Sequence, residues 1–142
     1  MTPGAPRAAA AGRAETGDAA RPDPALEGLR RRAQFLAAAR ARRQPMPGLL
    51  VQARNRRDGR DAVGVGVTCS RKLGNAVTRN RAKRRLRALA REVLPAHGHP
   101  GWDYVLVGRP GATVDRPFDL LRADLLGALA RLHAPRRDRG AP

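Results

Sequence analysis

The segment AVGVGVTCS, residues 62 to 70, constrains the fold of this chain more than any other stretch. Val63, Val65, Val67 and Cys69 alternate strictly with small or polar residues, and successive side chains of an extended chain point to opposite faces. These four side chains therefore share one apolar face, which predicts a β-strand with that face buried. A sheet must form part of the fold.

The strand is followed by a predicted helix with two distinct faces. At 100° per residue, the apolar side chains of residues 76 to 94 fall within about 50° of one direction, so this stripe is expected to face the sheet. The stripe consists of Ala82, Leu86, Leu89, Ala90 and Val93. The opposite side carries Asn80, Arg81, Arg84 and Arg91, with Arg85 and Arg87 on its flanks. Arg79 is an exception, because it projects about 20° from Leu86 and should lie at the helix–sheet interface unless the helix begins later.

The charge of this region points to a polyanionic partner. Residues 71 to 91 contain nine basic side chains and no acidic one, whereas solvated helices usually intersperse Glu with Lys or Arg. The whole chain carries 29 Lys and Arg against 12 Asp and Glu, a formal charge of +17. Most of the excess is arginine, whose planar fork binds phosphate bidentately. A nucleic acid is therefore the expected partner, and a merely solvated helix face is disfavoured.

Gly74 and Asn75 form the predicted turn between the strand and the basic helix. Asn75 suits the N-cap position, where its side chain would accept a hydrogen bond from a free backbone N–H group. An anion flanked by Arg71 and Lys72 is the alternative occupant of these N–H groups. The plain capped helix start is favoured.

The remaining segments complete an α+β fold, a small α/β sandwich with the order α-β-β-α-β-α around a mixed sheet of about four strands. The further predicted elements are a helix over 25–43, a strand over 48–55, a two-residue hairpin turn at Asp58-Gly59, a strand over 102–109 and a last helix that Asp115 caps near Pro117. A short additional edge strand near 42–46 would also fit. The cluster PAHGHPG should end the basic helix, and the strands on either side of that helix should be parallel.

The domain boundaries follow from composition. Residues 1 to 24 and 135 to 142 hold Pro, Gly, Ala and charges with almost no large apolar residue, so we expect a disordered arm and a flexible tail around one domain at 25–134. Cys69 is the only cysteine, and no apolar run approaches the length of a membrane span, so a soluble, cytoplasmic protein without a membrane partner is expected.

No catalytic or metal-binding constellation is evident. His97 and His99 lie two residues apart in a Gly/Pro-containing loop without a third ligand at useful spacing. Ser70, Cys69 and His133 show no nucleophile–base relation. We therefore expect no catalytic residue and no bound metal in the protein itself.

Phe35 is a candidate for binding unpaired bases. On a helix it projects about 120° from the apolar stripe that contains Leu29 and Leu36, on the side of Arg31 and Arg42, and an aromatic ring between arginines can stack a base. Packing of Phe35 on the sheet is equally plausible, since aromatic residues are more often core. Tyr104 is a further candidate for this cleft, whereas Trp102 and Phe118 are assigned to the core.

The stretch SRKLGNAVTRNRAKRRLR closely resembles the signature of the bacterial ribonuclease P protein component, in which K-x-G-N-A-V-x-R-N-R-x-K-R joins a strand to a basic helix. The resemblance covers roughly residues 28 to 133 and is weaker outside this stretch. It implies a left-handed crossover between the parallel strands, contrary to the usual rule. It also implies a subunit of a ribonucleoprotein that removes the 5′ leader of precursor tRNA, in which one protein binds one catalytic RNA and that RNA uses Mg²⁺ for the chemistry.

The resemblance also implies which residues bind RNA. By position, contacts with the catalytic RNA are expected from Arg79, Asn80, Arg81, Lys83, Arg84 and Arg87, and the turn adds Arg71, Lys72 and Asn75. The aromatic Phe35 on the first helix would line the cleft for the single-stranded leader, together with Arg31, Arg42 and Tyr104. Ala39 stands where the family often has a second bulky residue, so the cleft should grip less firmly.

Two other functions fit the charge of the chain. A DNA-binding regulator would need a helix-turn-helix pair or a leucine heptad after residue 94, and neither is present in the sequence. A ribosomal or general RNA-binding protein fits the charge as well, but it does not account for the ordered motif.

Overall fold

The computed structural model describes residues 26 to 134. The disordered arm predicted for residues 1 to 24 and the tail predicted for residues 135 to 142 lie outside the described residues. None of the helices between residues 26 and 134 is long and apolar enough to cross a membrane.

The described chain forms five strands and four helices around one sheet. In chain order they are β1 (Leu26–Gly28), α1 (Arg32–Arg40), β2 (Arg42–Pro45), β3 (Leu49–Asn55), β4 (Val63–Thr68), a 3₁₀ turn (Arg71–Leu73), α2 (Ala76–His97), β5 (Trp102–Gly108), α3 (Ala112–Asp115) and α4 (Phe118–Leu132). The strand order in the sheet is β1-β4-β5-β3-β2. β4 is parallel to both β1 and β5, whereas β3 is antiparallel to β5 and β2. The predicted α+β class, the mixed sheet and the parallel strands on either side of α2 are confirmed, with five strands instead of about four.

The first predicted helix, 25–43, is wrong at both ends. Residues Leu26–Gly28 pair with Val63–Val65 of β4, and Arg42–Pro45 pair with β3, so only Arg32–Arg40 remains helical. Alanine-rich composition favours a helix, but pairing with the sheet satisfies the backbone hydrogen bonds of the flanking segments. β2 corresponds to the short edge strand that would fit near 42–46.

The predicted hairpin at Asp58-Gly59 is also wrong, because β5 lies between β3 and β4. The connection over residues 56 to 62 therefore spans the end of β5 instead of turning tightly. The Arg56 guanidinium fixes this connection, donating to the Asp103 carboxylate at 2.7 Å and to the carbonyl of Ala62 at 2.7 Å. Asp58 and Gly59 are residues that favour a tight turn, but β5, from a distant part of the chain, lies between β3 and β4 and prevents their direct pairing.

Two helix ends differ from their predicted positions. α2 continues through Pro95 to His97, because a proline in the last turn removes only the bond to the exposed residue Arg91, and Gly98 N–H still donates to Leu94 C=O at 2.8 Å. Asp115 does not cap the last helix. It is the last residue of the short α3, and α4 begins after Pro117 without a side-chain cap.

The sheet separates two layers of helices. α2 and α4 pack on one face, where the core contains the predicted α2 stripe together with Leu49, Val51, Leu106, Leu121 and Leu125. α1 covers part of the other face, as shown by the contact of Phe35 and Leu29 with Gly66. Gly64 and Gly66 provide the space on that face, since a Cβ at Gly64 would lie 2.0 Å from the Asp103 carboxylate. The valines of β4 therefore face the layer of α2 and α4, and its glycines leave room for side chains on the α1 side of the sheet.

Candidate nucleic-acid interface

The turn before α2 places two cations at the start of the helix. Gly74 has φ +137°, a conformation that favours glycine, and Asn75 Oδ1 accepts a hydrogen bond from the N–H group of Thr78 at 2.9 Å. Arg71 and Lys72 are exposed beside this turn. The predicted N-cap is confirmed, and the side-chain carbonyl oxygen of Asn75 is occupied by this hydrogen bond within the protein.

We define the cationic face of α2 as the exposed residues Asn80, Arg81, Arg84, Arg87 and Arg91. Lys83 lies beside it and is partly buried. Within residues 26 to 134, no acidic side chain forms a salt bridge with any basic residue of this face. The charges are therefore exposed and uncompensated, as an RNA-binding surface requires.

Arg85 does not belong to the cationic face. Its guanidinium donates to the carbonyl oxygens of Thr113, Val114 and Arg116, with distances of 2.9 Å to Thr113 and 2.7 Å to Arg116. Arg85 thus holds the α3 segment against α2. Sequence reasoning placed it only on the flank of the helix, and its spacing gives no signal for this structural role.

Arg79 lies at the helix–sheet interface, as its helical direction predicted. It is partly buried, and its Nε is buried without a hydrogen-bond partner among the described residues. Arg79, Lys83 and Arg87 follow one another at four-residue intervals on the side of α2 nearest Cys69. Burial raises the pKa of the Cys69 thiol, although these three cations act in the opposite direction.

A groove of about 370 Å³ runs along the edge of the sheet formed by β1 and β4. We call it the edge groove. α1 contributes Phe35, α2 contributes Arg87 and Arg91, and the strands contribute Leu26, Glu27, Gly28, Val65, Gly66 and Val67. It therefore joins the α1 layer to the end of the cationic face.

Phe35 both packs on the sheet and borders the edge groove. A Cβ built on Gly66 would lie 2.5 Å from Phe35 Cε1 and 2.8 Å from Cζ, so the ring tip rests on the glycine backbone. The residue is only partly buried. The sequence leaves packing and base stacking as alternatives for Phe35, and the geometry permits both at once.

The edge groove is positively charged overall. Its acidic residue, Glu27, is paired with Arg60, whereas Arg87 and Arg91 are without an acidic partner in the described part of the chain. An aromatic side chain beside two arginines suits an unpaired nucleotide, with the base on the ring and the phosphate near the guanidinium groups.

Two residues assigned to the leader cleft lie elsewhere. Arg42 is on the opposite face of the sheet, where Nη1 donates to Leu132 C=O at 2.6 Å and the guanidinium lies 5.4 Å from the centre of the Trp102 ring. Tyr104 is 0% exposed and therefore offers no surface to RNA. Both assignments are wrong, because β-strand alternation directs these side chains into the α4 layer.

The other residues considered for the cleft lie at the surface or at the edge of the core. Arg31 is exposed at the start of α1, and Ala39 is exposed near its end. Trp102 and Phe118 are partly buried and pack against the core, as expected.

His99 and His133 form an aromatic cluster with Tyr104. The rings of His99 and His133 stack with their centres 3.5 Å apart, and His133 Nε2 lies 2.7 Å from the Tyr104 hydroxyl. Burial, aided by the nearby His99 and Arg42, lowers the pKa of His133 to about 4. Among residues 26 to 134, no group of three or more His, Cys, Asp or Glu residues is arranged to hold a metal ion.

Comparisons with known proteins give a consistent result. The family model described as "Ribonuclease P" matches residues 24–133. The chain is 62% identical over 109 residues to the ribonuclease P protein component of Ruegeria pomeroyi, covering 76% of this chain and 87% of that protein. The identity to the ribonuclease P protein component of Paramagnetospirillum magneticum is 45% over 120 residues, covering 82% and 90% of the two chains.

Solved structures show the same arrangement of helices and strands. The RNase P protein of Thermotoga maritima matches with a TM-score of 0.62 and 28% identity, covering 74% of this chain and 96% of the other. The RNase P protein of Staphylococcus aureus matches with a TM-score of 0.62 and 24% identity, covering 75% and 94%, which supports the fold alone.

Proposed function

Because the chain belongs to the ribonuclease P protein family and is a subunit of that tRNA-processing endoribonuclease, we propose that its two basic surfaces hold two different RNAs. The start of α2 binds the catalytic RNA, which is the partner implied by the family. The edge groove binds the single-stranded 5′ leader of precursor tRNA. The observation that carries this proposal is the uncompensated cationic face ending in a groove that contains Phe35.

The charge and exposure of the N-terminal half of α2 support contact with the catalytic RNA. Arg81 and Arg84 are exposed and unpaired in the described chain, and Arg71 and Lys72 extend the same charge into the preceding turn. Each phosphate that such a side chain neutralises releases counterions, which makes binding favourable and salt-dependent. Arg79 is less accessible, so its buried Nε would need a nearby RNA oxygen or water to be satisfied.

The shape of the edge groove supports binding of the leader. It is open beside Phe35, and its arginines come from the end of the cationic face. A single-stranded RNA leader in the groove would therefore approach the catalytic RNA that α2 holds. Base stacking on the aromatic ring is tolerant of sequence, as a protein acting on many precursor tRNAs requires.

The protein's own contribution to the reaction is binding and charge neutralisation. The hydrolysis is assigned to Mg²⁺ held by the RNA, and the basic side chains lower the electrostatic cost of bringing the RNAs together. We further propose one protein per catalytic RNA and action in the cytoplasm, where precursor tRNA is made.

The test uses purified protein with a bacterial ribonuclease P RNA and precursor tRNA at low Mg²⁺. The protein is expected to stimulate leader removal, and Phe35→Ala should weaken binding of leader-bearing precursor more than binding of mature tRNA. Arg131→Ala, which removes one exposed charge from the last turn of α4, is the matched control for loss of charge alone. Absence of stimulation at every protein concentration, or equal losses for both RNAs in the Phe35 variant, would contradict the proposal.

A further inference from the structure

The ladder between β1 and β4 stops before the end of β4. The paired residues are Leu26 with Val63, Glu27 with Gly64 and Gly28 with Val65. One more bond follows, from Leu29 N–H to Val65 C=O at 2.8 Å, and the chain then leaves the sheet toward α1. Residues 66 to 68 of β4 therefore form an open stretch of sheet edge within the described chain.

The direction of the backbone groups on this stretch follows from strand geometry. The N–H and C=O of one residue point to the same side of a strand, and successive residues alternate between sides. Since the Val65 carbonyl faces β1, the N–H and C=O of Val67 face the same way. Gly66 and Thr68 instead face β5, with which β4 is paired. No backbone hydrogen bond between residues 26 and 134 occupies the outward groups of Val67.

Val67 and Phe35 both line the edge groove. The ring tip rests on Gly66, the preceding residue, and Arg87 lines the same groove from α2. The groove thus brings together an aromatic ring, a cationic side chain, and an unpaired peptide donor and acceptor. A base edge presents neighbouring hydrogen-bond donors and acceptors, which an open strand edge complements.

We propose that the outward N–H and C=O of Val67 form hydrogen bonds with the base of one unpaired nucleotide in the edge groove. Phe35 packs against that base, and Arg87 lies near its phosphate. This inference rests on the proposed function, because it takes the nucleotide to be part of the leader. It adds base recognition to a site that would otherwise bind only by stacking and charge.

The experiment separates stacking from hydrogen bonding by changing the RNA. Precursor tRNAs carry, at one leader position at a time, a nonpolar base analogue of the same shape, such as 4-methylbenzimidazole for adenine or 2,4-difluorobenzene for uracil. An abasic nucleotide at the same position removes stacking as well. Binding to the holoenzyme is expected to weaken about 5- to 150-fold with the nonpolar analogue at one position, the value of about two hydrogen bonds, and further with the abasic nucleotide.

Val67→Pro is the matching protein variant. Proline removes the outward N–H but none of the bonds to β5, and such a proline is tolerated at a sheet edge. The variant should bind the natural base and its nonpolar analogue with more nearly equal affinity. Val67→Ala retains the N–H and should keep the wild-type difference.

The outcomes distinguish this inference from the proposed function. If the nonpolar analogue binds the wild-type holoenzyme as well as the natural base at every leader position, while Phe35→Ala still weakens leader binding selectively, base recognition by Val67 is wrong and the leader groove stands. If Phe35→Ala does not selectively weaken binding of the leader-bearing precursor, the proposed binding of the leader in the edge groove is itself wrong. The wild-type measurement needs no variant, so it can refute base recognition by Val67 even if Val67→Pro does not fold.

Discussion

Gly66→Ala tests whether Phe35 must rest on the sheet for the edge groove to bind the leader. The added Cβ would lie 2.5 Å from Phe35 Cε1, about 0.9 Å closer than an ordinary contact, and 3.2 Å from Leu29 Cδ1. The ring tip is the far end of a side chain that borders an open groove, so it can swing outward. We therefore expect a modest loss of stability, about 1 kcal/mol, at the lower end of the range for overpacking.

The functional effect of Gly66→Ala should exceed its effect on stability. A displaced ring occupies the space of the nucleotide and loses its stacking geometry, which is worth about 1 to 3 kcal/mol per base, or roughly 5- to 150-fold in affinity. Fluorescence titrations of the holoenzyme with leader-bearing precursor and with mature tRNA measure the change in affinity for each RNA. Urea unfolding of the protein measures the change in stability.

The double variant Phe35→Ala/Gly66→Ala shows whether the two residues act through each other. Without the ring the new Cβ meets only the tip of the Leu29 side chain, at 3.2 Å, so Gly66→Ala should cost little leader affinity in that background. Additive losses in the double variant, or equal losses for precursor and mature tRNA in Gly66→Ala alone, would refute the role given to the contact between Phe35 and Gly66.

Three further predictions concern arginines with structural roles and a buried histidine. Arg85→Ala should lower the free energy of unfolding by about 2 to 3 kcal/mol, because three carbonyl oxygens of the α3 segment lose their donor, whereas the exposed Arg84→Ala should leave stability nearly unchanged and weaken RNA binding; urea unfolding and RNA titration check both. Arg56→Ala should destabilise the protein by about 3 to 5 kcal/mol in the same unfolding assay, because among residues 26 to 134 it leaves the Asp103 carboxylate, 1% exposed, with only Arg54 at 3.7 Å. His133 has a folded pKa of about 4, below its unfolded value of 6.5, so neutral His133 gives full stability above pH 6.5 that is lost as pH falls toward 4. Because the residue is only half-buried, we expect a loss of about 1 to 2 kcal/mol between pH 7 and pH 4.5, and His133→Phe should reduce this slope; an unchanged slope would exclude His133 as its source.

Local patterns were sufficient to predict β4 and α2 because each has a strong periodicity and packs on the other. The valines of β4 and the apolar stripe of α2 meet in one layer, so the same assignment satisfies both elements. The ends of α1 were not predictable in this way. Alanine and arginine in residues 25 to 43 are good helix formers, and the longer helix is prevented by the bonds that β1 makes with the distant β4 and β2 makes with the following β3.

The position of β5 explains the wrong hairpin. An Asp-Gly turn between two apolar segments favours direct pairing, but β3 and β4 both pair more extensively with β5, which is far away in the sequence. Neither turn chemistry nor periodicity contains that information, because insertion of a strand between two arms depends on the complete set of strand pairings.

The arginines show why the candidate site could be predicted only in part. Arg42, Arg56 and Arg85 use their guanidinium groups to bind backbone carbonyls or a buried carboxylate, while Arg81 and Arg84 remain exposed on α2. In sequence these residues are chemically identical, and helical or strand direction alone does not reveal whether a carbonyl from another element lies within reach. These arginines differ in whether a carbonyl acceptor lies within reach. The ends of α3 and α4 and the 56 to 62 connection offer free carbonyls, whereas the outer side of α2 faces none among the described residues. An arginine that finds no acceptor within the protein is free to bind phosphate, and the four arginines of the cationic face find none among the described residues.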